Sequence, residues 1–389
     1  LSDGRVMLGT DGEGAMVYRF GERSPQPCDY FHAQVDLEHA KISSILEDRD
    51  GNIWLGLFQK GVFMQPHQDS GFSYVGYKSG RYDIIGSACV MSVYAGKDCT
   101  LWVGTDNDGL YALDMKSYAV SHYSSDPATI TSIVEDKDGK LWLGSYLGGA
   151  GWLDRQTGQF NRLPFTCRGM AVHVFRLLAD AEDNLWIATL GDGLKKYNLK
   201  THELTEYKVQ PEAFEPKGNS LTNMWVNDLC LSEDGRRLYI CMSSGLACLD
   251  LKHDDFVSTF GRNCILTEQP VHTVVEDSKG QLWVGTHDGI FVLDSHGRMK
   301  RHYTTDDGLP DNYIASMRFD IQNDIWISTF HGLSMLDLKR GSFTNYYASH
   351  GLQGNEFSER ASCGWDSLMV FGGNCGLTFF SPETVCRAG

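Results

Sequence analysis

Apolar and polar residues alternate along this chain in short runs that close on an acidic turn. ISSILEDRDG (42–51), ITSIVEDKDG (130–139) and VHTVVEDSKG (271–280) each read as a strand of period two running into a Gly-terminated turn. A second strand follows as apolar, aromatic, apolar, Gly-Thr, then a short polar loop, then Gly and a third, apolar strand. The phrase reads NIWLGLFQKGVFMQ at 52–65, TLWVGTDNDGLYALD at 100–114, KLWLGSYLGGAGWLD at 140–154, NLWIATLGDGLKKYN at 184–198, QLWVGTHDGIFVLD at 281–294 and DIWISTFHGLSMLD at 324–337. Weaker copies lie at 5–18, 237–250 and 368–380. A polar fourth piece closes several copies: AVSHYS (119–124), ELTEYK (203–208), DFVSTF (255–260) and SFTNYY (342–347).

With the aromatic position as marker, the copies fall at Met7, Trp54, Trp102, Trp142, Trp186, Tyr239, Trp283, Trp326 and Met369, at intervals of 40 to 53 residues. Six of the chain's nine tryptophans occupy this one position, so the repeat is structural. Four antiparallel strands per copy, apolar at the centre and polar at the rim, predict an all-β fold: a β-propeller of four-stranded blades. The tryptophan is expected to wedge between blades, and the glycine after it to let the next strand come close. GMAVHVFRLLADAE (169–182) is the best helical candidate, but it holds an inner-strand position in the repeat and is assigned as strand.

Composition narrows the function. The 389 residues carry 34 basic and 50 acidic side chains, a net charge of −16, and no basic patch beyond pairs such as Lys195-Lys196. No nucleic-acid partner is expected from that balance. No apolar stretch approaches the roughly 20 residues of a membrane span, and no signal peptide opens the chain, so a cytosolic protein or a mature soluble region is expected. The 11 cysteines are irregularly spaced without a Cys-x-x-Cys pair and read mostly as small buried hydrophobes.

The phrases W-[LVI]-G-T-x-x-x-G-[LI], with GLQGNEFS (351–358) and FGGNCGLTFFSPETV (371–385), resemble the two-component regulator propeller repeats of the periplasmic sensor region of bacterial hybrid two-component systems. In that family two seven-bladed propellers precede an immunoglobulin-like domain, a membrane helix, a histidine kinase and DNA-binding modules. The resemblance implies a C-terminal propeller portion: residues 85–389 as a seven-bladed ring and 1–84 as the last two blades of a preceding one. FSYVGYK (72–78) is expected to supply the outer strand missing after Phe380. A single ring of eight or nine blades is the competing arrangement.

Long, varied loops at 76–89, 209–226, 261–270, 304–313 and 348–360 should share one face with the turns between second and third strands. Binding is expected there. Tyr82, Tyr146, Trp225 and Phe330 could stack on sugar rings; Arg81, Asn219, His287, His331, Asn355 and Arg360 could hydrogen-bond. TDNDG (105–109) and EDKDG (135–139) lack the 12-residue calcium-loop spacing, and the turn before Trp142 misses the sialidase Asp box by one residue. No cofactor and no metal site are expected.

The resemblance implies a non-catalytic periplasmic sensor that recognises an oligosaccharide or other small ligand, works as a homodimer, and meets the membrane only through downstream segments. Two other readings compete. A propeller lyase resembling streptogramin lyase would have to assemble a metal and a base from His287, His331 and Glu356 or Asp106. A protein-interaction platform would use the same faces, but the Gly-His and Trp-Asp dipeptides of WD repeats are missing.

Overall fold

The computed structural model describes all residues except 2–3, 29–36, 50–51, 66–70, 77–83, 87, 118, 125, 168, 210–219, 366 and 386–389. Seven sheets of at least four strands form a closed ring, antiparallel except where Ser220–Leu221 adds a parallel fifth strand to Leu204–Val209 in the third. Their inner strands are Val90–Ala95, Ser132–Glu135, Val174–Ala179, Val226–Leu231, Val271–Glu276, Ile314–Phe319 and Phe357–Trp365, which define blades one to seven. Blade seven takes its outer strand from far upstream: Phe72–Gly76 pairs antiparallel with Gly376–Phe380, Phe72 opposite Phe380 and Gly76 opposite Gly376. Two further sheets precede the ring. Val6–Gly9, Ala15–Tyr18 and Gln26–Pro27 form one, and Ile42–Glu47, Ile53–Leu57 and Gly61–Gln65 the other.

Among the described residues the core of the ring is divided into seven clusters, one between each pair of neighbouring blades, and an eighth joins the two leading sheets. Trp102 of blade one packs with Ile130, Ile133 and Leu143 of blade two, and the pattern continues round the ring. The seventh cluster joins Val75, Val370 and Leu377 to Val90, Val93 and Val103, which closes the circle. The glycine two residues after the indole lets this happen. A Cβ on Gly104 would lie 2.7 Å from Ile130 Cβ, on Gly144 2.6 Å from Val174 Cγ1, and on Gly285 2.7 Å from Ile314 Cγ2.

That geometry corrects the marker of the last copy. A Cβ on Gly372 would meet Val90 of blade one at 2.5 Å, so Gly372 is the counterpart of Gly104 and Val370 stands at the indole position. Met369 faces the other way, into the cluster shared with blade six. Strand side chains alternate, so a slip of one residue moves the whole set to the opposite face. The missing indole is replaced from the inner strand: Trp365 packs against the closing cluster and donates from Nε1 to the Gly96 carbonyl at 3.2 Å.

Each acidic turn does more than turn. An aspartate six residues before the indole accepts the indole N–H: Asp48 from Trp54, Asp136 from Trp142, Asp180 from Trp186, Asp277 from Trp283 and Asp320 from Trp326, at 2.8–3.1 Å. Its other oxygen accepts backbone N–H groups of the turn, as Asp320 does from Gln322 at 2.8 Å and Asp324 at 2.9 Å. In blade one Gly96 holds that place, and Trp102 Nε1 is buried without a partner.

One expected strand is replaced. The segment 255–260 forms only Asp255–Phe256 before the short helix Ser258–Asn263. The helix turns Phe260 inward, fully buried beside Tyr239, which occupies the indole position in that blade with a smaller ring. The segment 169–182 is strand as expected, Met170–Ala171 and Val174–Ala179.

Candidate functional site

Antiparallel order puts three features on one face: the start of every inner strand, the turns between second and third strands, and the loops between blades. At that end most inner strands carry a bulge. The pairing shifts by one residue between Val90 and Ser92, Val174 and Arg176, Val226 and Asp228, Val271 and Thr273, and Ile314 and Ser316. In blade seven the shift is larger, between Phe357 and Ser362, and Arg360 within it adopts a left-handed φ of 59°. A bulge re-aims side chains. Here it places Phe175, His272, Glu359 and Arg360 at the mouth of the central channel.

The Glu359 carboxylate is the hub. It accepts a hydrogen bond from the Tyr313 hydroxyl, lies 3.3 Å from His272 Nδ1 and receives Arg360 at 2.8 Å. Burial by itself would raise its pKa; the His272 bond, the Arg360 charge and the Tyr313 hydroxyl outweigh burial and hold it well below the usual glutamate range. Burial, then the bond to Glu359 and its charge, push the Tyr313 hydroxyl up. Arg360 reaches across the axis to blade three, its guanidinium 4.5 Å from the Phe175 ring. Outward, Tyr313 stacks on Phe330 with centroids 3.9 Å apart at 16°. Phe330, Tyr313, Glu359, Arg360 and Phe175 therefore form one continuous path from exposed rim to axis.

A depressed folded pKa stabilises the fold in full above the ordinary glutamate value of 4.5 and loses that contribution as pH falls below it. Glu359→Gln is expected to lower the unfolding temperature at about pH 7 and to narrow the gap to the wild type at about pH 3.5. Thermal unfolding across that range checks it; a gap that is constant with pH would mean that folding leaves the pKa of this carboxylate unshifted.

Of the sequence-expected residues, Phe330 and Arg360 join this path. Tyr146 is exposed in the blade-two turn with its ring edge-on to His173 at 4.7 Å. Trp225, half exposed just before the inner strand of blade four, bridges to Leu190. His287 is exposed in the blade-five turn, and His331 lies beside Tyr347 with centroids 5.7 Å apart. Asn355 packs its own loop, its Oδ1 accepting from Ala348 N at 2.8 Å. Arg81, Tyr82 and Asn219 lie outside the described residues.

Sequence reasoning missed Phe175, His272, Tyr313 and Glu359. The available signal was polar residues where the repeat wants apolar ones, as in VHTVV, and the extra Glu-Arg inside FSERAS. The residues a lyase would need do not meet: Glu356 accepts from Asn374, and Asp106 from Thr129 at 3.0 Å. Among the described residues no three His, Cys, Asp or Glu side chains converge as metal ligands.

Comparison with known proteins agrees with the architecture. Residues 36–59, 124–147 and 265–288, each within one copy of the recurring unit, match the family described as two component regulator propeller. A curated relative, histidine kinase P4 of Formosa agariphila, is 25% identical over 322 residues, 78% of this chain and 23% of its own length. Among solved structures, the extracellular domain of a protein described as a hybrid two component system from B. thetaiotaomicron superposes with a TM-score of 0.76 at 20% identity, over 98% of this chain and 50% of that one. Another from the same organism gives 0.64 at 18% identity, over 97% and 51%. The chain thus spans about half of the solved chains and under a quarter of the curated relative.

Proposed function

We propose that this chain, built of two component regulator propeller repeats, is an extracytoplasmic, periplasmic ligand sensor that binds an oligosaccharide and signals to a histidine kinase. The extracellular domains it superposes on and its kinase relative support that setting. In this reading residues 85–389 are the C-terminal ring, with 72–76 lent to it, and 1–84 belong to a preceding propeller. The region binds and does not catalyse.

The observation that carries the ligand face is the set of exposed rings around the channel mouth. Tyr146, Trp225 and Phe330 are each more than 40% exposed in turns of a rigid ring, where apolar faces serve for stacking on sugars. Binding can signal only if the ligand prefers one arrangement of the assembly over another, so its contacts must reach beyond one rigid ring to a second propeller or a partner chain of a homodimer.

Titration calorimetry of the wild type against a panel of oligosaccharides should detect one binder. Joint replacement of Tyr146 and Trp225 by Ala should weaken it at least about tenfold, equal to about 1.4 kcal/mol. Unchanged affinity in the double variant would remove this face from the proposal.

A further inference from the structure

One turn is built twice on the ligand face, once closed and once open. In blade one, Thr105-Asp106-Asn107-Asp108-Gly109 is tied down by bonds from Thr105 N and Oγ1 to the Gly109 carbonyl, from Asp106 N to Cys89 and from Gly109 N to Ala128. In blade three, Thr189-Leu190-Gly191-Asp192-Gly193 repeats each of them: Thr189 N and Oγ1 to Gly193, Leu190 N to His173 and Gly193 N to Met224, at 2.7–3.1 Å. The third residue is left-handed in both, Asn107 at a φ of 66° and Gly191 at 92°. The chemistry differs. In blade one, Thr129 from the following loop accepts from Asn107 N at 3.2 Å and gives its hydroxyl to Asp106 Oδ1 at 3.0 Å, so the polar groups satisfy one another. In blade three the same three places hold Leu190, Gly191 and Trp225.

These replacements set an indole beside bare backbone. Trp225 is 52% exposed although its main chain is fastened on both sides: its N–H donates to Asn223 Oδ1 at 2.8 Å, its carbonyl accepts from Ser243 N at 3.0 Å, and it bridges to Leu190. The Met224 carbonyl before it accepts from Gly191 N at 3.0 Å and Gly193 N at 2.9 Å. Little ordering is left to be done when a ligand lands on the ring. Among the described residues nothing accepts a hydrogen bond from Trp225 Nε1. A Cβ on Gly191 would have one neighbour within 4 Å, that same Nε1 at 3.9 Å. Crowding therefore does not require a glycine there, and Asn107 shows that the left-handed φ does not either. A glycine so placed leaves the backbone open to close approach by a ligand.

We propose that Trp225 and Gly191 form the main sugar subsite: a pyranose ring seated on the indole, one edge over the bare backbone of Gly191, with a sugar oxygen accepting from Nε1. This rests on the oligosaccharide reading above and adds to it the seat of the ring and the residue that decides which rings fit. The indole supplies the apolar area and its N–H the orientation. Gly191 sets the specificity, because any side chain there would stand at the nitrogen edge of the indole, where the sugar edge has to lie.

Titration calorimetry of the whole chain against gluco-, manno-, xylo- and galacto-oligosaccharides tests it, with variants that restore the blade-one residues. Gly191→Asn and Trp225→Thr each introduce a side chain that the same backbone already carries in blade one, so neither should lower the unfolding temperature by more than about 2 °C. Each should weaken the oligosaccharide that the wild type binds at least about tenfold. Trp225→Phe, which keeps a ring to stack on, should lose less than Trp225→Thr; an equal loss would remove stacking from the proposal. Wild-type affinity in Gly191→Asn or in Trp225→Thr overturns the subsite and leaves the oligosaccharide reading standing. A wild type that binds none of these sugars overturns both. A larger fall in the unfolding temperature of Gly191→Asn also overturns the subsite, because the fold and not a ligand would then demand the glycine.

Discussion

A chain that begins at residue 85 will not unfold as one cooperative ring, whereas a chain that begins at residue 71 will. The strand Phe72–Gly76 is the only described partner for the free side of Gly376–Phe380, and it carries Phe72 into the cluster between blades six and seven. There the ring lies edge-on to Phe380 at 4.8 Å, Tyr346 at 4.9 Å and Trp326 at 6.5 Å. Val75 sits in the cluster that joins blade seven to blade one. Removing the strand opens both clusters and exposes an unpaired edge, which invites aggregation. The shorter chain should show a broad urea transition or none, with light scattering above that of the longer one. In the full chain Phe72→Ala should cost about 3 kcal/mol, at the lower end for a buried phenylalanine. An unchanged transition in the chain begun at 85 would show that the ring closes some other way.

Asp320→Ala should lower the stability of the ring by about 3 kcal/mol, because one truncation leaves three donors without their acceptor. The carboxylate receives Gln322 N, Asp324 N and Trp326 Nε1, and the indole is 2% exposed, so water cannot take over at Nε1. Urea unfolding of the variant should show a lower midpoint at the wild-type slope. Asp48→Ala is the contrast. It also removes the acceptor of three donors, Asn52 N, Asn52 Nδ2 and Trp54 Nε1, but the turn is only half-buried and the indole 38% exposed, so water can take over and the cost should be about 1 kcal/mol. Equal losses at the two positions would mean that the bond to the indole contributes little beyond the turn itself.

The exposure of Trp54 has a topological cause. In the ring, each indole is covered by the next blade; after Gly61–Gln65 the chain leaves to complete blade seven instead. Leu46, Phe58 and Val62 stay exposed on that sheet, while Gly9 of the sheet before it meets Ile42 as Gly104 meets Ile130. The two leading sheets thus pack on each other as blades do.

By itself the sequence determined what repeats: the strand alternation, the indole every forty-odd residues, the glycine that admits the next blade, and the missing last strand filled by FSYVG. Each is written within one copy or as a gap in the count, so local period and turn chemistry suffice to read it. Tertiary structure alone decided what depends on convergence. Val370 rather than Met369 takes the last indole position because only the neighbouring blade shows which face Gly372 presents. Phe260 turns inward on a helix because Tyr239 leaves room for it. His272, Tyr313 and Glu359 meet although 41 and 46 residues separate them in turn, and Arg360 finds Phe175 across the axis. In a ring the residues nearest the axis come from every blade, so their partners lie a fraction of a circle away and not along the strand.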